Sequence, residues 1–123
     1  MTKKVLVADD SKTLRRRVGI VLEPTGLSLV EACDGLEALE KLALESDVAI
    51  IICDVVMPRM TGMQLVRFLR QTTAYARVPV VMLTATASKR DLDTAKAMGV
   101  NIWMMKPFTD ELLVDAVTKL LAA

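Results

Sequence analysis

The sequence predicts a doubly wound α/β domain, in which helices cover both faces of a parallel sheet. Short apolar runs alternate with amphipathic helical patterns five times within 123 residues. Parallel strands need long crossovers of this kind, and the crossovers are helical in most α/β proteins. The run at residues 5–8 is apolar without alternation, which is typical of a strand buried on both faces. Right-handed crossovers then leave a doubly wound sheet as the natural arrangement.

The five apolar runs are taken as strands. The run 49–53 contains three consecutive isoleucines and gives the strongest strand signal in the chain. We expect strands over residues 5–8, 27–32, 49–53, 80–83 and 100–105. Five strands favour the flavodoxin-like order 2-1-3-4-5, although the pattern alone does not determine strand order.

The helices follow from apolar residues at three- and four-residue steps and from their end signals. Pro24 and Gly26 stop the first helix, Gly99 is placed to end the fourth in a left-handed conformation, and Thr109 is placed to cap the fifth. We expect helices over about 12–23, 36–43, 88–98, and following Gly62 and Thr109.

Composition excludes several classes of function. The net charge of +1, from 16 basic and 15 acidic residues, argues against nucleic acid or a membrane surface as the main partner. The absence of histidine excludes Ser-His-Asp and Cys-His sites and a phosphohistidine carrier. Cys33 and Cys53 have no metal or redox spacing and are expected as small buried residues in a reducing cytoplasm. The apolar run at residues 5–8 is too short for a signal peptide or membrane span, so we expect one cytoplasmic domain over residues 1–123.

Polar residues end four of the five strands. Asp9 and Asp10 end the first strand, Asp54 the third, Thr84 the fourth and Lys106 the fifth. In the expected strand order these groups converge at the edge where doubly wound sheets bind ligands. Like charges about 4 Å apart repel by about 4 kcal/mol, so the carboxylates need a compensating cation. Lys106 supplies one, and hard oxygen ligands without histidine or thiolate favour Mg²⁺, with Mn²⁺ satisfying the same preference.

Such a site suits phosphoryl transfer to a carboxylate. Asp54, held at the end of a buried strand, can act as a nucleophile and form an acyl phosphate. The metal and the Lys106 ammonium would neutralise charge on the phosphoryl oxygens, and the Thr84 hydroxyl would donate to one of them.

The whole chain resembles the receiver domain of two-component response regulators, most closely the single-domain chemotaxis type. The resemblance lies in four segments, VLVADDS at 5–11, IICDVVMPRMTG at 51–62, VVMLTA at 80–85 and MKPF at 105–108. It implies a signalling switch rather than an enzyme acting on other substrates. It also implies that Asp54 is phosphorylated and that Thr84 and Lys106 contact the phosphoryl group.

The same resemblance implies a metal site and a cis peptide. Asp10, Asp54 and the main-chain carbonyl of Val56 would bind Mg²⁺ directly, and Asp9 would act mainly through a water molecule. The bond between Lys106 and Pro107 is expected to be cis.

The resemblance further implies how the signal leaves the domain. Trp103 occupies the switch position on the fifth strand, where the family usually has Tyr or Phe. Val56 and Thr86 occupy positions that tune dephosphorylation, and an apolar Val56 predicts slow phosphate release. The expected output surface is formed by the fourth helix, fifth strand and fifth helix, near Lys89, Trp103 and Lys119. A sensor histidine kinase or phosphotransfer protein would supply the phosphoryl group, and the downstream protein target is unknown.

Three alternative functions were weighed. A phosphatase of the haloacid dehalogenase type needs a second acid two residues after Asp54, where this chain has Val56. A flavodoxin-like FMN protein needs a Ser-, Thr- and Gly-rich loop after the first strand, where this chain has Asp9 and Asp10. A receiver that serves only as a binding module remains open, because the presence of the site residues does not prove that they are used.

Overall fold

A computed structural model of the protein describes residues 3–86 and 88–122. The strands are β1 (Lys4–Ala8), β2 (Ser28–Ala32), β3 (Val48–Cys53), β4 (Val80–Thr84) and β5 (Ile102–Met105). The helices are α1 (Lys12–Val21), α2 (Gly35–Leu44), α3 (Gly62–Arg70), α4 (Lys89–Ala97) and α5 (Asp110–Ala122). Two 3₁₀ turns occupy Glu23–Thr25 and Thr73–Tyr75.

The five strands form one parallel sheet in the order β2-β1-β3-β4-β5, which confirms the expected fold. The central strand, β3, pairs with β1 on one side and β4 on the other. Chain order reverses between β1 and β3, so this is the switch point at which ligands bind in doubly wound sheets.

Each face of the sheet has its own apolar core. Alternate residues of the central strands point to opposite faces, so Ile51 and Cys53 belong to one core and Ile50 and Ile52 to the other. The first core includes residues of α2 and α3, and the second includes residues of α1 and α5. Burial on both faces explains why the sequences of β1, β3 and β4 are apolar without alternation.

Side chains cap all five helices at their N-termini. Each cap oxygen accepts a hydrogen bond from the main-chain amide three residues later, which satisfies one of the free amides of the first turn. The caps are Ser11, Asp34, Thr61, Ser88 and Thr109. The cap predicted at Thr109 is confirmed, and Gly99 has the predicted left-handed conformation, with φ of 75°.

Two element boundaries differ by two residues from the sequence-based expectation, and the other stated boundaries differ by one residue or none. β5 begins at Ile102 rather than at residue 100, because the amide of Val100 donates to the carbonyl of Ala95 at the end of α4 and is not available to the sheet. α1 ends at Val21 rather than at residue 23, and the chain continues into the 3₁₀ turn that contains Pro24.

The two cysteines are free thiols in different environments. Cys53 is buried as expected, and burial raises the pKa of its thiol to about 12. Cys33 follows β2 and is only half-buried, so the expectation of a buried residue was wrong there. Within the described ranges, every helix is too short or too polar to cross a membrane.

Gly62, the first residue of α3, lies against the end of β3. A Cβ at this position would lie 2.1 Å from the carbonyl oxygen of Asp54, a main-chain atom that cannot move independently. We therefore expect Gly62→Ala to lower the free energy of unfolding by about 2–3 kcal/mol, as overpacking of a tight contact does. Urea denaturation measures this value.

The matched control is Gly19→Ala in α1. A Cβ there would meet the Cδ2 atom of Leu29 at 2.6 Å, but this atom is the end of a flexible side chain. The gain in helix propensity of about 1 kcal/mol should offset much of that contact. Equal destabilisation by the two substitutions would contradict the prediction.

Candidate functional site

The polar residues that follow the strands are held in place by an extension of the sheet's hydrogen bonding. The amide of Asp9 donates to the carbonyl of Ala32 at 3.0 Å, and the amide of Asp54 donates to that of Ala8 at 3.0 Å. The amide of Lys106 donates to the carbonyl of Thr84 at 2.8 Å. Hydrogen bonds to neighbouring main chains therefore fix the backbone positions of Asp9, Asp54 and Lys106.

Three carboxylates meet at this edge. Ligand oxygens of Asp9, Asp10 and Asp54 all lie within 4.8 Å of one another. Asp9 and Asp54 are only 2% and 8% exposed, whereas Asp10 is exposed to solvent. Two buried acids and one exposed acid thus form a cluster that is open on one side.

Lys106 reaches this cluster from the end of β5. Its Nζ atom donates to Asp9 Oδ2 at 2.7 Å and to Asp54 Oδ2 at 3.0 Å. Burial alone would lower the pKa of the ammonium, but the two carboxylates outweigh burial and raise it. Lys106 therefore stays charged and links the ends of β1, β3 and β5.

Burial dominates the behaviour of Asp9. It raises the pKa of this carboxyl, against the opposing effects of Lys106 and of the Ser11 amide, which donates to Asp9 Oδ1 at 2.8 Å. The nearby Asp54 carboxylate acts in the same direction as burial. Asp9 thus lies where an additional positive charge would stabilise its ionised form.

The loop between β3 and α3 starts at Asp54 and turns tightly. The amide of Val56 donates to Asp54 Oδ1 at 3.2 Å, while the Val56 side chain is 61% exposed. The amide of Gly62 donates to the carbonyl of Val55 at 3.0 Å. One oxygen of Asp54 therefore accepts from the loop and the other accepts from Lys106.

Thr84 and Thr86 border the site from β4. Thr84 is fully buried, and its Oγ1 atom lies 3.3 Å from Oγ1 of the exposed Thr86. The amide of Thr86 also donates to the Thr84 Oγ1 atom, at 3.3 Å. The Thr84 hydroxyl thus has a local partner that it could exchange for another acceptor.

Trp103 lies on β5, opposite Met82 of β4 in the sheet register. Its side chain is partly buried against the core that includes α2 and α3. Its Nε1 atom is buried and has no hydrogen-bond partner among the residues the structure describes. The peptide bond between Lys106 and Pro107 is cis.

The donor set suits a hard divalent cation. The three side chains offer carboxylate oxygens, the ligands that Mg²⁺ and Mn²⁺ prefer, and neither imidazole nor thiolate is present among them. The exposed side of the cluster leaves room for water or phosphate oxygens, which Mg²⁺ retains as ligands in proteins.

Sequence reasoning missed an ion pair that holds the loop after β3. Arg59 donates to Asp34, the cap of α2, at 2.7 Å and 3.1 Å from two nitrogens. This pair lowers the pKa of the Asp34 carboxyl. Arg59 has a positive φ of 62°, and the amide of Gly35 donates to the carbonyl of Met60 at 3.2 Å. No periodicity or spacing in the sequence connects Asp34 with Arg59, so the pair could not be predicted.

Two arginines of α1, Arg15 and Arg17, contact residues outside their own helix. Arg15 donates to the main-chain oxygen of Asp9 and to Glu31. Arg17 pairs with Asp110 and lies 4.6 Å over the ring of Phe108. These contacts join α1 to the site and to the start of α5. Arg17 and Asp110 are 93 residues apart in the sequence, so their pairing could not be predicted.

Comparison with protein families gives a match over nearly the whole chain. Residues 5–118 match the family model described as "Response regulator receiver domain". The chain is 38% identical over 113 residues to chemotaxis protein CheY1 of Helicobacter pylori, with 91% of each protein covered. It is 35% identical over 114 residues to protein PilG of Pseudomonas aeruginosa, with 93% of this chain and 84% of PilG covered.

Solved structures agree with these matches. The chemotaxis protein CheY4 of Vibrio cholerae superposes with a TM-score of 0.90 at 36% identity, over 98% of this chain and all of that one. The receiver domain of a histidine kinase from Syntrophus aciditrophicus gives a TM-score of 0.87 at 32% identity, over 98% of this chain and 90% of that one.

The Asp34–Arg59 pair makes stability depend on pH. Because the folded state lowers the pKa of Asp34, its contribution to stability is present above the ordinary aspartate pKa of about 3.9 and is lost as pH falls through the lowered value. We expect Arg59→Gln to lower the Tm at pH 7, and the difference from the unsubstituted protein to shrink in acid. Thermal denaturation followed by circular dichroism from pH 7 downward measures both.

Arg16→Gln is the control, because it removes the same charge from an exposed arginine with no ion pair recorded among residues 3–86 and 88–122. A Tm difference for Arg59→Gln that is the same at every pH would contradict the role given to Asp34.

Proposed function

Because the chain belongs to the response regulator receiver domain family, whose members are signalling switches, we propose that Asp54 is its phosphoacceptor. We further propose that residues 1–123 act as one phosphorylation-controlled domain. The observation that carries the proposal is the position of Asp54, which is largely buried at the end of β3 and accepts a hydrogen bond from Lys106 at 3.0 Å. A carboxylate held in this way is rigid and adjacent to a fixed cation.

Mg²⁺ is the proposed cofactor, with Mn²⁺ as a substitute. Asp10, Asp54 and the main-chain carbonyl of Val56 would hold the ion directly, and Asp9 would hold it through water. When bound, the ion would neutralise negative charge on the transferring phosphoryl oxygens. The proximity of the three carboxylates and the raised pKa of Asp9 support this assignment, because both features favour an additional positive charge in the cluster.

The transfer forms one bond and breaks one. A carboxylate oxygen of Asp54 attacks phosphorus, and the donor group leaves with the electron pair of its bond to phosphorus. The donor is a phosphohistidine of a kinase or a small acyl phosphate. Lys106 would move part of its interaction from the Asp54 carboxylate to the new phosphoryl oxygens, while its bond to Asp9 keeps the ammonium in place.

Thr84 and Trp103 are the proposed switch residues. The phosphoryl group offers strong acceptor oxygens, and the Thr84 hydroxyl would leave Thr86 to donate to one of them. Such a movement changes the space beside β5, where Trp103 is only partly buried. We propose that the surface of α4, β5 and α5, near Lys89, Trp103 and Lys119, changes its affinity for a target protein.

The proposed partners are a sensor histidine kinase or phosphotransfer protein upstream and an unidentified protein target downstream. CheY1 of Helicobacter pylori and CheY4 of Vibrio cholerae are named as chemotaxis proteins, which makes a chemotaxis response the first output to test. We propose a cytoplasmic location and no direct contact with nucleic acid.

Phosphorylation is tested by incubating the chain with acetyl phosphate and Mg²⁺ and measuring the intact mass. We expect the gain of one phosphoryl group, and no gain for Asp54→Asn, because an amide is not a nucleophile for this reaction. Omitting Mg²⁺ should suppress the gain in the unsubstituted chain.

Asp47→Asn is the matched control, since Asp47 is an exposed aspartate outside the carboxylate cluster and its positive φ of 62° suits asparagine. Phosphorylation of Asp54→Asn, or none of the unsubstituted chain, would remove the basis of the proposal. The second result would favour a binding module that does not depend on phosphorylation.

Val56 should make release of the phosphoryl group slow. The main-chain amide of Val56 donates a hydrogen bond to Asp54, so the exposed Val56 side chain borders the approach to the phosphorylated carboxylate. This side chain offers no polar group to orient water. Val56→Asn adds a hydrogen-bonding group there. A hydrogen bond worth about 1 kcal/mol in the transition state corresponds to about fivefold faster release.

Phosphate release in Mg²⁺ after removal of acetyl phosphate measures the lifetime of both proteins. Release within seconds from the unsubstituted chain, or an unchanged rate for Val56→Asn, would contradict this role.

A further inference from the structure

A groove lined by three arginines lies far from the carboxylate cluster. It has a volume of about 500 Å³, and its polar and apolar lining includes Arg67, Arg70, Gln71, Arg77, Met98 and Asn101. Arg70 ends α3, and Val78 and Gly99, to which it is bonded, precede β4 and β5. The groove therefore lies at the amino ends of the strands, at the edge of the sheet opposite Asp54. We call it the arginine groove.

The charge in the arginine groove is not balanced. No carboxylate lines it, and none of its three arginines forms an ion pair with any residue that the structure describes. By contrast, Arg15, Arg17 and Arg59 each pair with an acid. In a chain whose net charge is only +1, this is a concentrated positive region.

Arg70 holds the groove in shape. Its guanidinium donates to the carbonyls of Met98 at 3.0 Å, Val78 at 2.7 Å and Gly99 at 2.9 Å. All of these acceptors are neutral, and burial lowers the pKa of the guanidinium without a carboxylate to oppose it. Arg70 thus joins α3 to the segments before β4 and β5 and contributes a fixed positive charge.

The other polar groups of the lining can act as donors. Arg67 and Arg77 are exposed at the rim. Asn101 accepts the amide of Val80 with Oδ1 at 2.9 Å, so the amide nitrogen is the atom that it can offer to a ligand. Three guanidinium groups and an amide, contributed by α3 and by the segments before β4 and β5, therefore surround one concavity.

We propose that the arginine groove binds a diphosphate group, the chemical class shared by pyrophosphate and nucleoside diphosphates. Each phosphate carries between one and two negative charges at neutral pH, so a diphosphate brings roughly three charges into a compact volume. Guanidinium groups match phosphate oxygens with paired hydrogen bonds, whereas a single carboxylate could satisfy only one arginine. The volume is also within the range of small-molecule sites, about 300–1,000 Å³.

The test is a titration of the ¹⁵N-labelled chain with pyrophosphate and, separately, ADP. EDTA is present so that the carboxylate cluster holds no divalent cation. We expect saturable shifts of the Gln71, Gly99 and Asn101 amides with both ligands, and tighter binding of ADP would show that the nucleoside adds contacts. The double variant Arg67→Gln/Arg77→Gln should bind at least about tenfold more weakly, since it loses two charge-assisted contacts.

Two controls separate this site from general charge and from the proposed phosphoacceptor. Arg16→Gln/Arg90→Gln removes the same net charge from α1 and α4 outside the groove and should bind as the unsubstituted chain does. Asp54→Asn should also keep its affinity, whether or not Asp54 accepts a phosphoryl group.

Several results would overturn the proposal. These are the absence of saturable binding, equal weakening by both double arginine variants, and shifts centred on Asp9, Asp54 and Lys106. Equally tight binding of a triglutamate peptide would also overturn it, because the groove would then bind acidic groups in general and would not select diphosphate.

Discussion

The candidate site depends on one ammonium group held between two buried carboxylates. Lys106 contacts Asp9 at 2.7 Å and Asp54 at 3.0 Å, and it thereby links the end of β5 to the ends of β1 and β3, with which β5 does not pair in the sheet. Without it, like charges at such distances would repel by about 4 kcal/mol per pair. Lys106 compensates only part of the charge when all three acids are ionised, which leaves a site suited to one divalent cation. The fold therefore keeps the three acids together while leaving part of their charge uncompensated, which favours a further cation.

The sheet edge determines how this arrangement is built. Parallel strands end together, and the hydrogen bonds from Asp54 to Ala8 and from Lys106 to Thr84 extend the register beyond the strands. The loop after β3 must then turn at once, and only a residue without Cβ can lie against the Asp54 carbonyl where α3 begins. The Asp34–Arg59 ion pair fixes the far side of the same loop. Helix packing, helix capping and ion pairing thus all help to fix the position of the Asp54 carboxylate.

The sequence was sufficient for the fold and for the membership of the carboxylate cluster, because both follow from local patterns. Apolar runs and crossovers predicted the parallel sheet, whereas the strand order was expected only because it is common among five-stranded doubly wound sheets. Asp9, Asp54 and Lys106 could be predicted as neighbours because each follows the end of a strand. The contacts of the exposed arginines were not predictable, since Arg59 and Arg17 reach partners that no periodicity specifies. The start of β5 was misplaced for a related reason, because the end of α4 takes the amide of Val100 before the sheet can.

The position of Trp103 makes the intrinsic fluorescence of the protein informative. Trp103 is the chain's single tryptophan and lies on β5, with a half-buried ring and an indole nitrogen that has no hydrogen-bond partner among residues 3–86 and 88–122. Indole emission depends on the polarity around the ring, so a rearrangement on this side of the sheet would change the intrinsic fluorescence of the protein. The unmodified chain thus contains its own optical probe, positioned where metal binding and target binding would be detected in real time.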